Sequence, residues 1–135
     1  MAFDPSQARV MIVGDDQSLA SIVASGLKAM GVKAIATEQD GQRALYAIKA
    51  GKPKPDLVIA DWDMPKLDGV GLVKALRAAG DRTRVLLVTP GSNPASVVLA
   101  KRAGVDGCLA RPFSAAQLAG AVRAATGAGA AQSAA

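Results

Sequence analysis

Side chains that could carry out chemistry follow four short apolar runs of the sequence. In chain order they are Asp15 and Asp16, Asp61 and Asp63, Thr89, and Arg111. Carboxylates, a hydroxyl and a cation that meet in one place form a set able to handle a phosphoryl group. Acids packed together repel one another unless a hard cation neutralises them, and oxygen-only ligands suit Mg²⁺. The set therefore indicates a site at which a carboxylate oxygen attacks phosphorus beside a magnesium ion.

An alternative interpretation treats these acids as solvated turn formers, and a single aspartate would favour it. The placement of the whole set argues against that alternative, because each member directly follows its own apolar run. In an open α/β sheet, the loops that leave the carboxyl ends of the strands converge on one crevice. The spacing therefore predicts that residues distant in sequence meet there.

Five apolar runs, each followed by a segment of helical period, would position this set. The runs are residues 10–13, 32–36, 57–60, 85–88 and 107–110. Apolar residues at helical spacing include Leu19, Ile22, Val23, Leu27 and Met30 in the first helical segment, and Val97, Val98, Ala100 and Ala103 in the fourth. Gly31, Gly51, Gly80 and Gly104 are the expected left-handed helix ends, and Asn93 and Ser114 are expected N-caps. Five such units in series predict an α/β fold, with a parallel sheet covered by helices on both faces.

Length and composition fit one domain of ordinary globular type. The chain has 135 residues, of which 50% are hydrophobic and 20% are charged. No apolar run approaches the roughly 18 residues that span a bilayer, and the first residues do not resemble a signal peptide. The single cysteine, Cys108, cannot form an internal disulfide, which agrees with a reducing compartment. We expect a cytoplasmic protein without membrane association.

The charge pattern and the absence of histidine exclude several functions. The net charge is +5, but the basic residues are scattered and aromatic residues are few, so no direct DNA binding is expected. With no histidine, the chain itself offers neither histidine nucleophiles nor histidine metal ligands. A solvated basic surface is the simplest interpretation of the charge.

Four stretches of the chain resemble the signature segments of response regulator receiver domains. They are VMIVGDDQSL, DLVIADWDMPKLDG, VLLVT and RPF, in the family's order and at closely similar spacing, and the resemblance covers roughly residues 9–125. It implies a flavodoxin-like doubly wound (βα)5 fold with a five-stranded parallel sheet of order 2-1-3-4-5. Residues 1–8 would then be an N-terminal extension, and residues 126–135, which are small and of low complexity, a disordered tail.

The resemblance also implies roles for single residues. Asp61 resembles the phosphoryl acceptor, Asp15 an acidic metal ligand, and Thr89 the switch hydroxyl. The backbone carbonyl of Asp63 would complete the Mg²⁺ shell, to which Asp16 and Asp61 would also contribute. Pro65, Asp68, Gly69 and Phe113 resemble loop-shaping residues, and the bond between Arg111 and Pro112 is a candidate cis peptide.

The chain departs from the family's pattern around the acidic pair. Receivers usually carry two acids directly after the first strand, and two alignments are open here. Counting back from Gly31 places Gly14 and Asp15 on the pair, whereas counting forward places Asp15 and Asp16 there. The first alignment is favoured because the helix length then matches the family. It removes one acid, which Asp16 could replace.

Three further departures lie on the switch. Arg111 stands where the family has lysine, and its planar fork is not equivalent to a compact ammonium group. Cys108 stands where an aromatic switch residue is common, and we interpret it as a small core residue. Pro90 after Thr89 is expected to stiffen the loop that the switch moves. These departures indicate an atypical receiver.

The leading hypothesis is a stand-alone, chemotaxis-regulator-like receiver of a two-component phosphorelay. A histidine kinase or phosphotransfer protein would phosphorylate Asp61, and output would pass to a protein partner through the face of the fourth helix, fifth strand and fifth helix. The alternative is a phosphorylation-independent pseudo-receiver that binds a protein, or a nucleotide through arginines such as Arg82, Arg84, Arg102 or Arg111. A phosphatase of the haloacid dehalogenase type also carries a D-x-D motif, but after the first strand of a longer chain, so no enzyme is expected.

Overall fold

Five strands alternate with five helices along the chain. The computed structural model describes residues 3–51, 54–91 and 93–127. The strands are β1 (Arg9–Val13), β2 (Ala34–Glu38), β3 (Leu57–Asp61), β4 (Val85–Thr89) and β5 (Gly107–Ala110). The helices are α1 (Gln17–Ala29), α2 (Gly41–Ala50), α3 (Gly69–Ala78), α4 (Pro94–Ala103) and α5 (Ala115–Ala125).

The strands form one parallel sheet in the order β2-β1-β3-β4-β5. Every residue of β3 and β4 is buried, because helices cover both faces of the sheet. The side chains of α1 and α5 belong to the apolar cluster on one face, and those of α2, α3 and α4 belong to the cluster on the other. The predicted fold and strand order are confirmed.

The helix ends follow the punctuation of the sequence. Gly31, Gly51, Gly80 and Gly104 all adopt positive φ angles where a helix ends, as expected. Asn93 caps α4 with Pro94 at the first helical position, and Ser114 caps α5 in a reciprocal capping box with Gln117. The peptide bond between Arg111 and Pro112 is cis, as the resemblance implied.

The second strand begins two residues later than the predicted range of 32–36. Val32 instead completes the C-terminal hydrogen bonds of α1, because its N–H donates to the carbonyl of Leu27 while the N–H of Gly31 donates to that of Lys28. This pattern satisfies two carbonyls at the helix end and buries Val32 against the core. The strand then runs as the exposed edge of the sheet, so its side chains lack the continuous apolar character of β3.

Several predicted apolar faces are less buried than their spacing indicated. Ile22 of α1 is 57% exposed, and on α4 only Ala100 and Ala103 are buried, whereas Val98 is 49% exposed. Helical spacing identifies a stripe but not its width, and α4 lies near the edge of the sheet where less of its surface is covered.

The first residue of the expected C-terminal tail is part of the fold. Thr126, which the sequence assigned to the tail, is buried and ends α5, with its hydroxyl donating to the carbonyl of Val122. Residues 128–135 of the expected tail lie outside the described residues. Within the described ranges, no helix is long and apolar enough to cross a membrane.

Candidate functional site

The carboxyl edge of the sheet gathers the residues that the sequence singled out. Asp61 is the last residue of β3, which lies at the centre of the sheet between β1 and β4. Gly14 follows β1, Thr89 ends β4, and Arg111 follows β5. Parallel strands share one carboxyl edge, so these positions converge as predicted.

The guanidinium of Arg111 holds the carboxylate of Asp61. Its Nη2 lies 2.7 Å from Oδ1 and 2.6 Å from Oδ2 of Asp61, a carboxylate that is only 4% exposed. Its Nη1 lies 3.5 Å from Oδ2 of Asp16. A cation shared by two acids reduces the repulsion that burial would otherwise make severe. The arginine therefore contacts two of the predicted acids at once.

The Nε of Arg111 is buried and has no hydrogen-bond acceptor among the residues that the structure describes. A buried donor without an acceptor is costly, more so in a charged group. The guanidinium thus binds closely through Nη2, has a longer contact of 3.5 Å through Nη1, and is unsatisfied at Nε.

Asp16 has a second function that the sequence interpretation missed. It is the N-cap of α1, and its Oδ1 accepts a hydrogen bond of 3.1 Å from the N–H of Leu19. The signal was present in the sequence, since an aspartate three residues before the first core leucine is a common helix start. Because the cap fixes Oδ1, the other oxygen is oriented for Arg111.

The remaining predicted acids are less engaged. Asp15 and Asp63 are exposed, and neither takes part in the hydrogen bonds and ion pairs found within residues 3–51, 54–91 and 93–127. They lie in the loops after β1 and β3, and metal ligation by Asp15 and Asp63 stays a prediction.

Gly14 packs closely against the predicted acceptor. Its φ of +155° is rare for residues with a side chain, and a Cβ added here would lie 3.2 Å from the Cβ of Asp61. An aspartate at this position would therefore need a local shift as well as adding charge. We keep the alignment that places Gly14 and Asp15 on the acidic pair as our interpretation.

The hydroxyl of Thr89 points towards the loop that follows β4. Thr89 is buried, and its Oγ1 donates to the carbonyl of Gly91 at 2.8 Å. Pro90, which lies between them, is exposed. For the hydroxyl to donate to a group on Asp61, this hydrogen bond must break.

Two further side chains lie beside these strand ends. Trp62, directly after Asp61, is half-buried and packs against the core under α2, α3 and α4. Cys108 on β5 is half-buried in the same cluster. Burial raises the pKa of the Cys108 thiol, and the nearby ammonium of Lys101 opposes this in part. The thiol is therefore a poor nucleophile at neutral pH.

The donor chemistry of the pocket suits a hard cation. No three acidic, cysteine or histidine side chains in the described part of the chain stand ready to hold a metal. However, the guanidinium lies between Asp61 and Asp16, which marks a cation position lined by oxygen atoms. The residues present therefore fit Mg²⁺ by donor type, provided that the guanidinium of Arg111 moves away from the carboxylate of Asp61.

A family model described as the response regulator receiver domain matches residues 10–123. Among curated proteins, the chain is 36% identical over 116 residues to the transcriptional regulatory protein PrrA of Mycobacterium tuberculosis, covering 86% of this chain and 48% of PrrA. PrrA of Mycobacterium leprae is 35% identical over 119 residues, covering 88% of this chain and 50% of the relative. The chain thus spans about half the length of the curated relatives it matches.

Solved structures give the same picture. The chemotaxis response regulator CheY4 of Vibrio cholerae is 31% identical with a TM-score of 0.77, covering 87% of this chain and 98% of that protein. The signal receiver domain of the putative response regulator NarL from Mycobacterium tuberculosis is 31% identical with a TM-score of 0.78, covering 87% of this chain and 94% of that domain. The alignments cover 98% and 94% of the two solved chains, so the likeness extends over the whole receiver fold.

Proposed function

Because the chain belongs to the response regulator receiver family, we propose that it is a phosphorylation-dependent switch of a two-component system. Receiver domains are signalling modules rather than enzymes in general, and they interact with histidine kinases and downstream partners. The proposal assigns Asp61 as the phosphoryl acceptor, with a histidine kinase or a phosphotransfer protein as donor. Its place of action would be the cytoplasm.

The observation that carries this proposal is the buried carboxylate of Asp61 on the central strand, paired with a cation. Asp61 is 4% exposed, and Nη2 of Arg111 contacts both of its oxygens. A nucleophile held in place beside a positive charge is prepared to attack a phosphoryl group and to neutralise the charge that the group brings. Thr89, at the end of the neighbouring strand, offers a hydroxyl for a phosphoryl oxygen.

In the proposed transfer, an oxygen of Asp61 attacks phosphorus while the bond between phosphorus and the donor's nitrogen breaks. Arg111 keeps the positive charge close to the new acyl phosphate, and Thr89 leaves the carbonyl of Gly91 to donate to it. Asp15, Asp16, Asp61 and the backbone carbonyl of Asp63 would hold Mg²⁺. When bound, the ion supplies positive charge to the phosphoryl oxygens.

The proposed output surface is the face formed by α4, β5 and α5. Val98 and Leu99 on α4 are 49% and 52% exposed, which leaves apolar surface available to a protein partner. This surface is linked to the site because the loop containing Thr89 leads directly into α4. The proposal concerns the receiver itself and holds equally for a receiver alone or one joined to an output domain.

Trp62 provides the test, because it is the single tryptophan and adjoins Asp61. We expect its emission to change when beryllofluoride, a phosphoryl mimic, is added with Mg²⁺. Asp61→Asn should abolish the change, because the acceptor carboxylate is gone. Asp4→Asn removes an acid far from the site and should respond like the unchanged chain. An equal response in Asp61→Asn, or no response in the unchanged chain, would contradict the assignment.

A phosphorylation-independent pseudo-receiver is the second candidate, and the ion pair between Arg111 and the carboxylate of Asp61 favours it. If Arg111 holds Asp61 permanently, the fold could act as a binding module without phosphoryl transfer. Arg82 and Arg84 are exposed at the opposite edge of the sheet and could contact an anionic ligand such as a nucleotide. Full signalling activity of Asp61→Asn in cells would favour this candidate over the switch.

A further inference from the structure

The guanidinium of Arg111 lies between Asp61 and Asp16, two of the acids that the proposed function assigns to Mg²⁺. We propose that Arg111 is a built-in competitor of the divalent cation, so that this receiver is held in a metal-poor resting state. The inference rests on the proposed function only in using the same pocket, since it concerns cation binding before any phosphoryl transfer.

The contacts explain why the competitor is effective. Nη2 engages both oxygens of Asp61, so a metal can reach that carboxylate only if this nitrogen withdraws. The carboxylate is nearly inaccessible to water, so salt screens this pair less than a pair in which both partners lie on the surface. Hydrogen bonds between charged groups are also stronger than neutral ones.

A second contact makes arginine more effective than lysine would be. Nη1 reaches Asp16 at the same time as Nη2 holds Asp61, and a compact ammonium group cannot span two acids in this way. Asp16 is held still by its capping bond to α1, so its free oxygen stays oriented towards the guanidinium. Metal binding must therefore displace two contacts rather than one.

The buried Nε of Arg111 indicates how the contact is released. It has no acceptor within the described ranges, so the resting arrangement leaves one charged donor unsatisfied. An anion on Asp61, such as a phosphoryl group, brings new acceptor oxygens into the pocket, whereas a metal ion brings none. Arg111 should thus disfavour the bare cation while accepting the phosphorylated state.

Titration with Mg²⁺ tests this directly, with Trp62 emission and calorimetry as independent readouts. We expect Arg111→Lys to lower the half-saturating Mg²⁺ concentration on the order of tenfold, which corresponds to one charge-assisted hydrogen bond. Arg111→Gln should lower it further, because both acids then lose their cation. Arg123→Gln removes the same charge from an exposed position in the last turn of α5, away from Asp61, and should match the unchanged chain. Circular dichroism verifies that each variant is folded.

Equal half-saturating concentrations in the unchanged chain, Arg111→Lys and Arg111→Gln would overturn the inference. Absence of Mg²⁺ binding in all three would also overturn it, because removal of the competitor would then have exposed no site. Failure of the proposed function gives a different result: the variants differ in Mg²⁺ binding as expected, but none of them responds to beryllofluoride. The two ideas can therefore fail separately.

Discussion

At the scale of single residues, the pocket around Asp61 is shaped by the residues that follow β1 and β5. Gly14 leaves room beside the carboxylate, because any Cβ there would lie 3.2 Å from the Cβ of Asp61. Arg111 supplies the cation that compensates the buried charge. In the alignment that places Gly14 on the acidic pair, the pocket has one acid fewer, and together with the broad cation of Arg111 this makes its neutrality depend less on a metal ion.

Cys108 provides a prediction about pH. Burial raises the pKa of its thiol, opposed in part by Lys101, so less thiolate is present at a given pH than in an unfolded chain. We expect the native protein to react with an aromatic disulfide reagent more slowly at pH 8 than the same chain in denaturant, and to approach the unfolded rate only at higher pH. Lys101→Met should slow the native reaction further.

Absorbance of the released thiolate, followed over time from pH 7 to pH 10, measures this. If the native and unfolded chains react at the same rate at pH 8, Cys108 is not protected in the way its burial indicates.

At the scale of helices and strands, the site is positioned by close contacts at the starts and ends of helices. Asp16 and Asp68 cap α1 and α3, and each cap lies within the loops that follow β1 and β3. Gly69, the first residue of α3, approaches the backbone of Asp61 itself. The helix starts therefore fix the loops from which the site is built.

Gly69→Ala tests that approach. The added Cβ would lie 2.5 Å from the carbonyl oxygen of Asp61 and would also meet the side chain of Leu87, so backbone must move. We expect a loss of about 2 kcal/mol in the free energy of unfolding, within the range for overpacking. Gly120→Ala in α5 is the matched control, because nothing lies within 4 Å of its added Cβ.

Chemical denaturation of both variants gives the measurement. The control should gain about 0.5–1 kcal/mol, since alanine favours a helix interior over glycine. If Gly69→Ala is as stable as Gly120→Ala, the contact between α3 and β3 is looser than the structure shows.

The connection between α3 and β4 gives a second prediction at this scale. Asp81 accepts hydrogen bonds from Nζ of Lys54 at 2.7 Å and from the N–H and hydroxyl of Thr83 at 2.8 and 2.6 Å. Burial by itself raises the pKa of Asp81, but the hydrogen bonds from Lys54 and Thr83 outweigh it and bring the pKa below its ordinary value. The ionised form therefore stabilises the fold.

Asp81→Asn should cost on the order of 1 kcal/mol at pH 7. Because the folded pKa is lowered, the stabilisation is present above the unfolded pKa of about 4 and is lost as the pH falls through the folded value. The difference from the unchanged chain should therefore shrink in acid. Lys54→Met should cost less, since the lysine is half-exposed. Thermal melting from pH 2.5 to pH 7 measures both, and a pH-independent loss in Asp81→Asn would contradict the linkage.

At the scale of the whole molecule, the sheet connects the site to the proposed output face. Asp61, Thr89 and Ala110 end three neighbouring strands, and Thr89 leads through its loop into α4. The contact between Thr89 and Gly91 couples the site to that loop. In the proposed switch, phosphorylation of Asp61 would shift an equilibrium of this loop and of α4 and leave the core unchanged.

Hydrogen exchange measures the extent of this shift. On loading with beryllofluoride and Mg²⁺, we expect altered protection in the loop after β4 and in the first turn of α4. The amides of β1 and β3, which lie in the centre of the sheet, should keep their protection. Thr89→Ala should reduce the change in α4 while leaving the response of Trp62 in place. Changes spread evenly over all helices would contradict a local route.

The sequence by itself determined the architecture of this protein. Alternating apolar runs and helical segments specify a parallel sheet, and glycine, proline and capping residues mark the ends of its elements, because these signals are local. The candidate residues could be named for the same reason, since each follows its own strand. The strand order needed more than local signals and came from the family resemblance.

Only the tertiary structure decided which of those residues touch. The contact of Arg111 with Asp61 and Asp16 joins residues 50 and 95 positions apart in sequence, and spacing says nothing about which oxygen a guanidinium selects. The start of β2 and the exposure of Ile22 and Val98 also depended on packing, because the local sequence does not show which other elements will cover a residue. Local sequence signals determined where the helices and strands lie along the chain. Contacts between distant residues determined which charges are paired in the site.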